Sequence, residues 1–221
     1  MSTAADRPTY REGVRAAAPL AVAVGAFGIS FGVLAHAAGW GTLAPVAMSV
    51  TTFGGSAQFA AVSVLGAGGG VAAAVAAALL LNSRYVPLGI AIAPELRGAL
   101  WRRLLESQLM VDESWAISHR GGGRFDRRLL IGAGLLLYAA WVGGTTLGVF
   151  GGQALGDPKR LGLDAAFPAL FLGLLARQLG SRRAVAAALL GAAIALTLVP
   201  LAPPGIPIIA AVAACLIGLR R

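Results

Sequence analysis

The chain has 221 residues, of which 57% are hydrophobic and only 12% charged, with a net charge of +9 and a mean hydropathy of +0.79. A soluble domain carries about 25% charged residues and could not cover its surface with this composition, whereas a bilayer accepts apolar side chains all round a helix. The cations sit at the ends of apolar runs, where they set topology, so the positive charge does not point to nucleic acid, and the single cysteine, Cys215, excludes an intrachain disulfide.

In chain order, the polar residues 1–15, with Arg7, Arg11 and Arg15, form a cytoplasmic N-terminus. A first span over 16–38 is too long for the apolar core of a signal peptide and is expected to be retained; His36 and Trp40 mark its far end. A second apolar run, 42–65, is interrupted by Thr51-Thr52-Phe53-Gly54-Gly55-Ser56-Ala57-Gln58. Paired glycines followed by serine predict a helix break, with Ser56 capping a new helix. The third run, 71–93, carries Asn82, Ser83 and Arg84 at its centre, and a charged, amphipathic, cytoplasmic segment, 94–128, follows. Four more apolar runs cover 129–150, 165–176, 184–199 and 205–219.

If every run crossed, the N-terminus and the Arg-rich 94–128 segment would face opposite sides, against the excess of cations in both. The conflict disappears if 42–65 dips in and returns to the same face. The expected fold is therefore a single all-α polytopic membrane domain, 1–221, with about six transmembrane helices, a re-entrant broken helical pair and both termini inside; seven full crossings is the alternative. Gly28/Gly32 and Gly144/Gly148 are small-xxx-small pairs that let helix backbones approach closely. Each is followed by a proline-containing run (Pro45, Pro168) and an alanine-rich helix, a pattern compatible with a two-fold internal repeat.

Arg84 is nine residues from the nearer end of its apolar run, about 14 Å, too deep to snorkel. Burying it costs roughly 2.5–3.5 kcal/mol on insertion scales. It is either a structural arginine bound to carbonyls freed by Pro87 and Gly89, or an anion site. A half-helix starting near Ser56 would aim N–H groups and a positive dipole end into the membrane. Together these features favour a carboxylate ligand, held by Arg84 and the backbone at Gly54, Gly55 and Ser56. Were the ligand an amino acid, Asn82 and Gln58 would take its ammonium or hold Arg84 in place, and Phe53 and Phe59 would line an apolar side-chain pocket. Four titratable groups are candidates for coupling or gating: Asp112, Glu113, Asp164 and His36. Their bland alternatives are a solvated face or ion pairs with Arg102 or Arg103 for the first two, a helix N-cap for Asp164, and a span-end residue for His36. No catalytic constellation, nucleotide motif, metal cluster or cofactor motif stands out, so the expectation is a non-enzyme; a membrane scaffold or membrane enzyme is the competing class.

The chain resembles the AzlC family, the large subunit of branched-chain amino-acid exporters. The resemblance rests on Pro19, Phe27-Gly28 to Gly32, Met48-Ser49, Phe53 through Ala60, Asn82-Ser83-Arg84-Tyr85, Ala93-Pro94, Asp112-Glu113 and Leu163 through Leu170. Ser83 departs from the leucine or alanine frequent there, and Gly54-Gly55-Ser56 from Ala-Gly-Ser. The resemblance implies a small AzlD-type membrane subunit as partner, a bacterial cytoplasmic membrane, and export of valine, leucine, isoleucine or analogues. It leaves open a different small apolar metabolite as substrate, and the site residues above rest on physical reasoning alone.

Overall fold

A computed structural model describes residues 8–155, 172, 173, 175, 176 and 179–219. The described residues are helical, and three helices among them are long and apolar enough to cross a membrane: Tyr10–Ala37, Val71–Glu95 and Arg127–Gly152. The chain divides into two compact units, Met1–Gly55 with Arg84–Gly156, and Ser56–Ser83 with Asp157–Arg221. The expected run at 165–176 and its candidate cap Asp164 fall outside the described residues, apart from a few positions near the end of that run.

In the first unit, α1 (Tyr10–Ala37) begins earlier than the apolar pattern indicates. A capping box explains why: the Thr9 side chain accepts from the Glu12 N–H at 3.3 Å, and the Glu12 carboxylate accepts from the Thr9 N–H at 3.2 Å. At 28 residues the helix is about 42 Å long, more than the roughly 30 Å of hydrocarbon, and so long enough to span it with some tilt. The other long helix, α8 (Arg127–Leu155), starts where Asp126 Oδ1 accepts from the backbone of Arg128 and Leu129 at 2.8 and 3.0 Å.

α1 and α8 form the main interface of this unit, and both glycine pairs lie in it. A Cβ on Gly28 would sit 2.7 Å from the Trp141 carbonyl and 3.3 Å from Gly144 Cα, and one on Gly32 would strike the backbone of Thr145 and Gly148. Conversely, a Cβ on Gly144 would strike Gly25, and one on Gly148 would strike Ile29. Gly13 lies against Leu129 at the other end of the interface, so residue numbers rise together along both helices and α1 runs parallel to α8. Backbone-to-backbone contact of this kind maximises van der Waals packing where lipid supplies no hydrophobic drive between helices.

After the turn at 38–42, α2 (Leu43–Thr52) runs back along α8. Ser49 and Thr145 share a buried hydroxyl hydrogen bond of 2.9 Å. Further on, the Val50 carbonyl accepts from Tyr138 Oη at 2.9 Å and the Thr51 carbonyl from Gln108 Nε2 at 2.8 Å. α2 stops at Phe53, and α3 (Gly55–Gly66) starts two residues later, so the expected break is present. Its chemistry differs from the expectation in two respects. The left-handed residue is Phe53, with φ 41°, rather than either glycine, and Ser56 lies inside the first turn of α3 instead of capping it. Gly55 is small because a Cβ there would come within 2.9 Å of the Trp141 ring.

The expected amphipathic stretch of 94–128 is two helices, α6 (Leu100–Ser107) and α7 (Asp112–Ser118), joined by a turn. The Ser114 hydroxyl closes that turn, accepting from the Val111 N–H at 2.9 Å and donating to the Leu109 carbonyl at 2.8 Å. The turn packs against α8: Leu109 backbone fills the space where Gly134 would carry a Cβ, seven residues or about 10 Å along the axis from the helix start. α6 is anchored by Glu106, only 7% exposed, which accepts from Arg102 Nε at 3.0 Å and from Arg127 Nε at 2.7 Å. Thus Arg102 pairs with Glu106, on its own helix. Ile92, Leu96, Phe125 and Leu130 form a core at this end, with Met110 and Trp115 packed against it.

The second unit contains most of α3, together with α4 (Val71–Asn82), α9 (Arg182–Leu198) and α10 (Ile206–Ala211), which passes into a 3₁₀ stretch, Val212–Leu219. α10 packs against α4, and Gly205 sits between Ala73 and Val64. α4 continues into α5 (Tyr85–Ile92) of the first unit through a loosened turn at Ser83-Arg84. Pro87 accounts for the loosening, since its missing N–H cannot bond the Ser83 carbonyl.

Candidate functional site

Arg84 stands at that loosened turn, inside the 25-residue apolar helix Val71–Glu95. Its guanidinium does not turn to freed carbonyls. Nη2 forms an ion pair with Asp112, 3.0 Å from Oδ2, and donates to Tyr85 Oη at 3.1 Å, and the guanidinium carbon lies 4.9 Å from the Tyr85 ring centroid. The helical hairpin of α6 and α7 makes this possible: its turn runs along α8 and brings Asp112, the first residue of α7, to an arginine deep in a span. Both side chains stay partly accessible, 31% for Arg84 and 29% for Asp112. Arg84 Nε is buried and has no acceptor, so one donor of the fork is unused.

Buried side-chain polar atoms without a partner number four among the described residues: Ser56 Oγ, Asn82 Oδ1, Arg84 Nε and Trp115 Nε1. Three of them belong to residues that the sequence singles out as ligand-binding. An unpaired buried polar group costs about 1–3 kcal/mol, so each of these atoms calls for a partner such as a water or an ion, or for a functional role. Arg84 lies in the first unit; Ser56 and Asn82 lie in the second, with the fully buried Gln58 and Phe59.

The break forms a second cluster in the first unit. Phe53 is buried and packs edge-on against Tyr138, with centroids 5.1 Å apart. Gly54 is also buried, and Gly55 faces Trp141, which stacks on Phe31 at 6.0 Å. Trp141 is the midpoint of α8 (Arg127–Leu155), so α2 ends halfway along that helix. Of the coupling candidates, Asp112 contacts Arg84, and the neighbouring Glu113 acts electrostatically on Tyr85. His36 instead faces the turn after α1, its Nδ1 3.3 Å from the Gly41 carbonyl. Sequence reasoning missed Tyr85, Gln108, Tyr138 and Trp141, whose roles arise from long-range contacts; the adjacency of Tyr85 to Arg84 was the one local signal.

Apolar helices long enough to cross a membrane, one of them carrying a paired arginine, define a helical membrane protein. The AzlC protein family model matches residues 19–155, and the chain belongs to that family. It is 32% identical over 189 residues to an uncharacterized membrane protein of Archaeoglobus fulgidus, covering 85% of this chain and 83% of that one. It is 28% identical over 155 residues to the branched-chain amino acid transport protein AzlC of Bacillus subtilis, covering 68% of this chain and 60% of the relative. A membrane protein of Helicobacter pylori is 23% identical over 154 residues, 68% of this chain and 67% of its own length. No solved structure matches the chain.

Proposed function

We propose that this protein is the large membrane subunit of a secondary exporter of branched-chain or similar small apolar amino acids, acting with a small AzlD-type subunit in a bacterial cytoplasmic membrane. The observation that carries the reading is Arg84: a guanidinium inside an apolar span, partly accessible, with an unused Nε donor. A carboxylate is the ligand that a planar, two-pronged cation in a low-dielectric site selects. The printed name of the Bacillus subtilis relative supports the amino-acid class. The absence of a nucleotide motif from the sequence supports secondary transport.

The parallel packing of α1 and α8 supports six crossings with a re-entrant 42–65 segment. Parallel helices need the chain to return to the starting side between them. A full crossing by 42–65 would instead bring α8 in antiparallel to α1. The partner reading draws on the second unit. Only 11% of the most apolar stretch of Val71–Glu95 is buried, against 50% for Arg127–Gly152, and α9 has no buried residue against the described chain. Those faces suit lipid on one side and a small helical subunit on another.

The test is efflux of labelled leucine or valine from proteoliposomes holding this chain together with a small AzlD-type subunit. Wild type exports saturably. Arg84→Lys keeps the charge and inserts normally, yet loses export about ten- to a hundredfold, the weight of one charge-assisted contact. Near-normal export in Arg84→Lys would return Arg84 to a structural role.

A further inference from the structure

We propose that the Arg84–Asp112 ion pair is itself the substrate receptor, opened by insertion of the zwitterion, and that a proton competes with the substrate ammonium for Asp112. This rests on the amino-acid exporter reading and adds a binding mode and a coupling residue to it. An α-amino acid presents one carboxylate and one ammonium on the same carbon. The pair presents their two complements in contact, with Nη2 and Oδ2 3.0 Å apart. Asp112 approaches Arg84 at Nη2 alone, while Nε has no acceptor. A substrate carboxylate using both donors therefore replaces a one-point contact with a two-point one. The displaced Asp112 carboxylate then accepts the substrate ammonium, so one ion pair becomes two and no charge is left alone.

The charge balance gives a direction. The empty pair is neutral, and the pair holding a zwitterion is neutral. Asp112 carrying a proton in place of substrate leaves Arg84 alone with its charge, a site of +1. Proton and ammonium exclude each other on the same carboxylate. Exporting one zwitterion outward and returning with one proton on Asp112 thus moves one positive charge inward per cycle, with the membrane potential. The groups facing Asp112 are Arg84 and Tyr85 across the contact and Glu113 on its own helix. α7 packs on α1 and α8, whose charged side chains near this end are Arg11, Glu12, Arg15, Arg127 and Arg128. Of these, Glu12 closes the cap of α1 and Arg127 holds Glu106.

The experiment is equilibrium binding of labelled L-leucine to the purified full chain across pH, with 4-methylpentanoate, the analogue lacking the ammonium, as competitor. For wild type, the leucine Kd rises about tenfold per pH unit once Asp112 takes a proton, and 4-methylpentanoate competes about tenfold or more weakly than leucine. Asp112→Asn binds leucine about tenfold or more weakly, without pH dependence, and narrows the gap between the two ligands. Asp112→Glu regains the pH dependence, which a merely misfolded Asn variant could not explain. Asp112→Asn with wild-type leucine affinity and pH profile overturns the proposal while leaving the exporter reading intact. Wild type that binds no leucine overturns both.

Discussion

At the scale of single residues, charge placement separates two arginine–carboxylate pairs that look alike in the sequence. Glu106 is a structural anion. Hydrogen bonding from Arg127, then from Arg102, holds its carboxyl below the usual carboxylate range, against the opposing effect of burial. A carboxyl depressed by folding adds stability that is fully present above its unfolded value, about 4.3. That stability is lost as pH falls through the lower folded value. Glu106→Gln should therefore lower thermal stability in detergent at neutral pH, by an amount on the order of 1–3 kcal/mol. Below about pH 4 the difference from wild type should shrink, which a pH series of melting curves reads directly. Asp112, by contrast, meets a partly accessible Arg84 with an unused donor, an arrangement suited to exchange rather than to clamping. Phe53 is the other unusual residue: a left-handed φ in a bulky side chain costs energy and is held by its packing against Tyr138.

At the scale of elements, the α1–α8 pair is the scaffold from which the site is hung. Gly148 and Gly144 touch the backbone of Ile29 and Gly25 without any intervening side chain. A leucine at either position must separate the helices, and neither partner can yield, because the obstacle is backbone. Gly144→Leu and Gly148→Leu are expected to abolish stable insertion, seen as loss of membrane-fraction protein and of a monodisperse peak in detergent. Gly143 provides the control, since a Cβ there meets nothing within 4 Å; Gly143→Ala should accumulate like wild type. Separation of α1 from α8 would also release Ser49 from Thr145, and with it the α2 segment that ends at the break. The hairpin of α6 and α7 is the second positioning element. Its turn docks on Gly134, so Gly134→Leu should displace Asp112 from Arg84 and lower leucine binding with little loss of α1–α8 packing.

For the whole molecule, the parallel relation of α1 and α8 is a statement about topology. With a re-entrant 42–65 segment, Ser2 and the turn at 120–124 between α7 and α8 share the cytoplasmic side, and the linker at 68–70 faces outward. Single cysteines at Ser2, Gly122 and Gly70, in a Cys215→Ala background, test this with a membrane-impermeant thiol reagent. Both glycines have open space for a side chain, Gly122 at a left-handed φ of 58° that a cysteine adopts at some cost. Gly70→Cys should label from outside in intact cells, and the other two only after permeabilisation. Labelling of Gly70→Cys and Ser2→Cys from the same side would restore seven crossings.

Composition and pattern alone determined that this chain is a helical membrane protein, where its apolar runs lie, that a helix breaks near Gly54, and that Arg84 is out of place in its span. Each of these follows from local chemistry: hydropathy over a window, glycine pairs, and a charge far from any apolar boundary. The glycine pairs at Gly28 and Gly144 were visible for the same reason, but not their mutual packing or its parallel sense. Ser56 was misread as a cap because helix starts shift by a residue or two with tertiary context. Tertiary structure alone decided what Arg84 meets. Its partner Asp112 is separated from it by α5 and α6, and the two meet where the Leu109 turn lies against α8 at Gly134. Pairings at that sequence distance depend on how elements pack, and periodicity within one element carries no record of it.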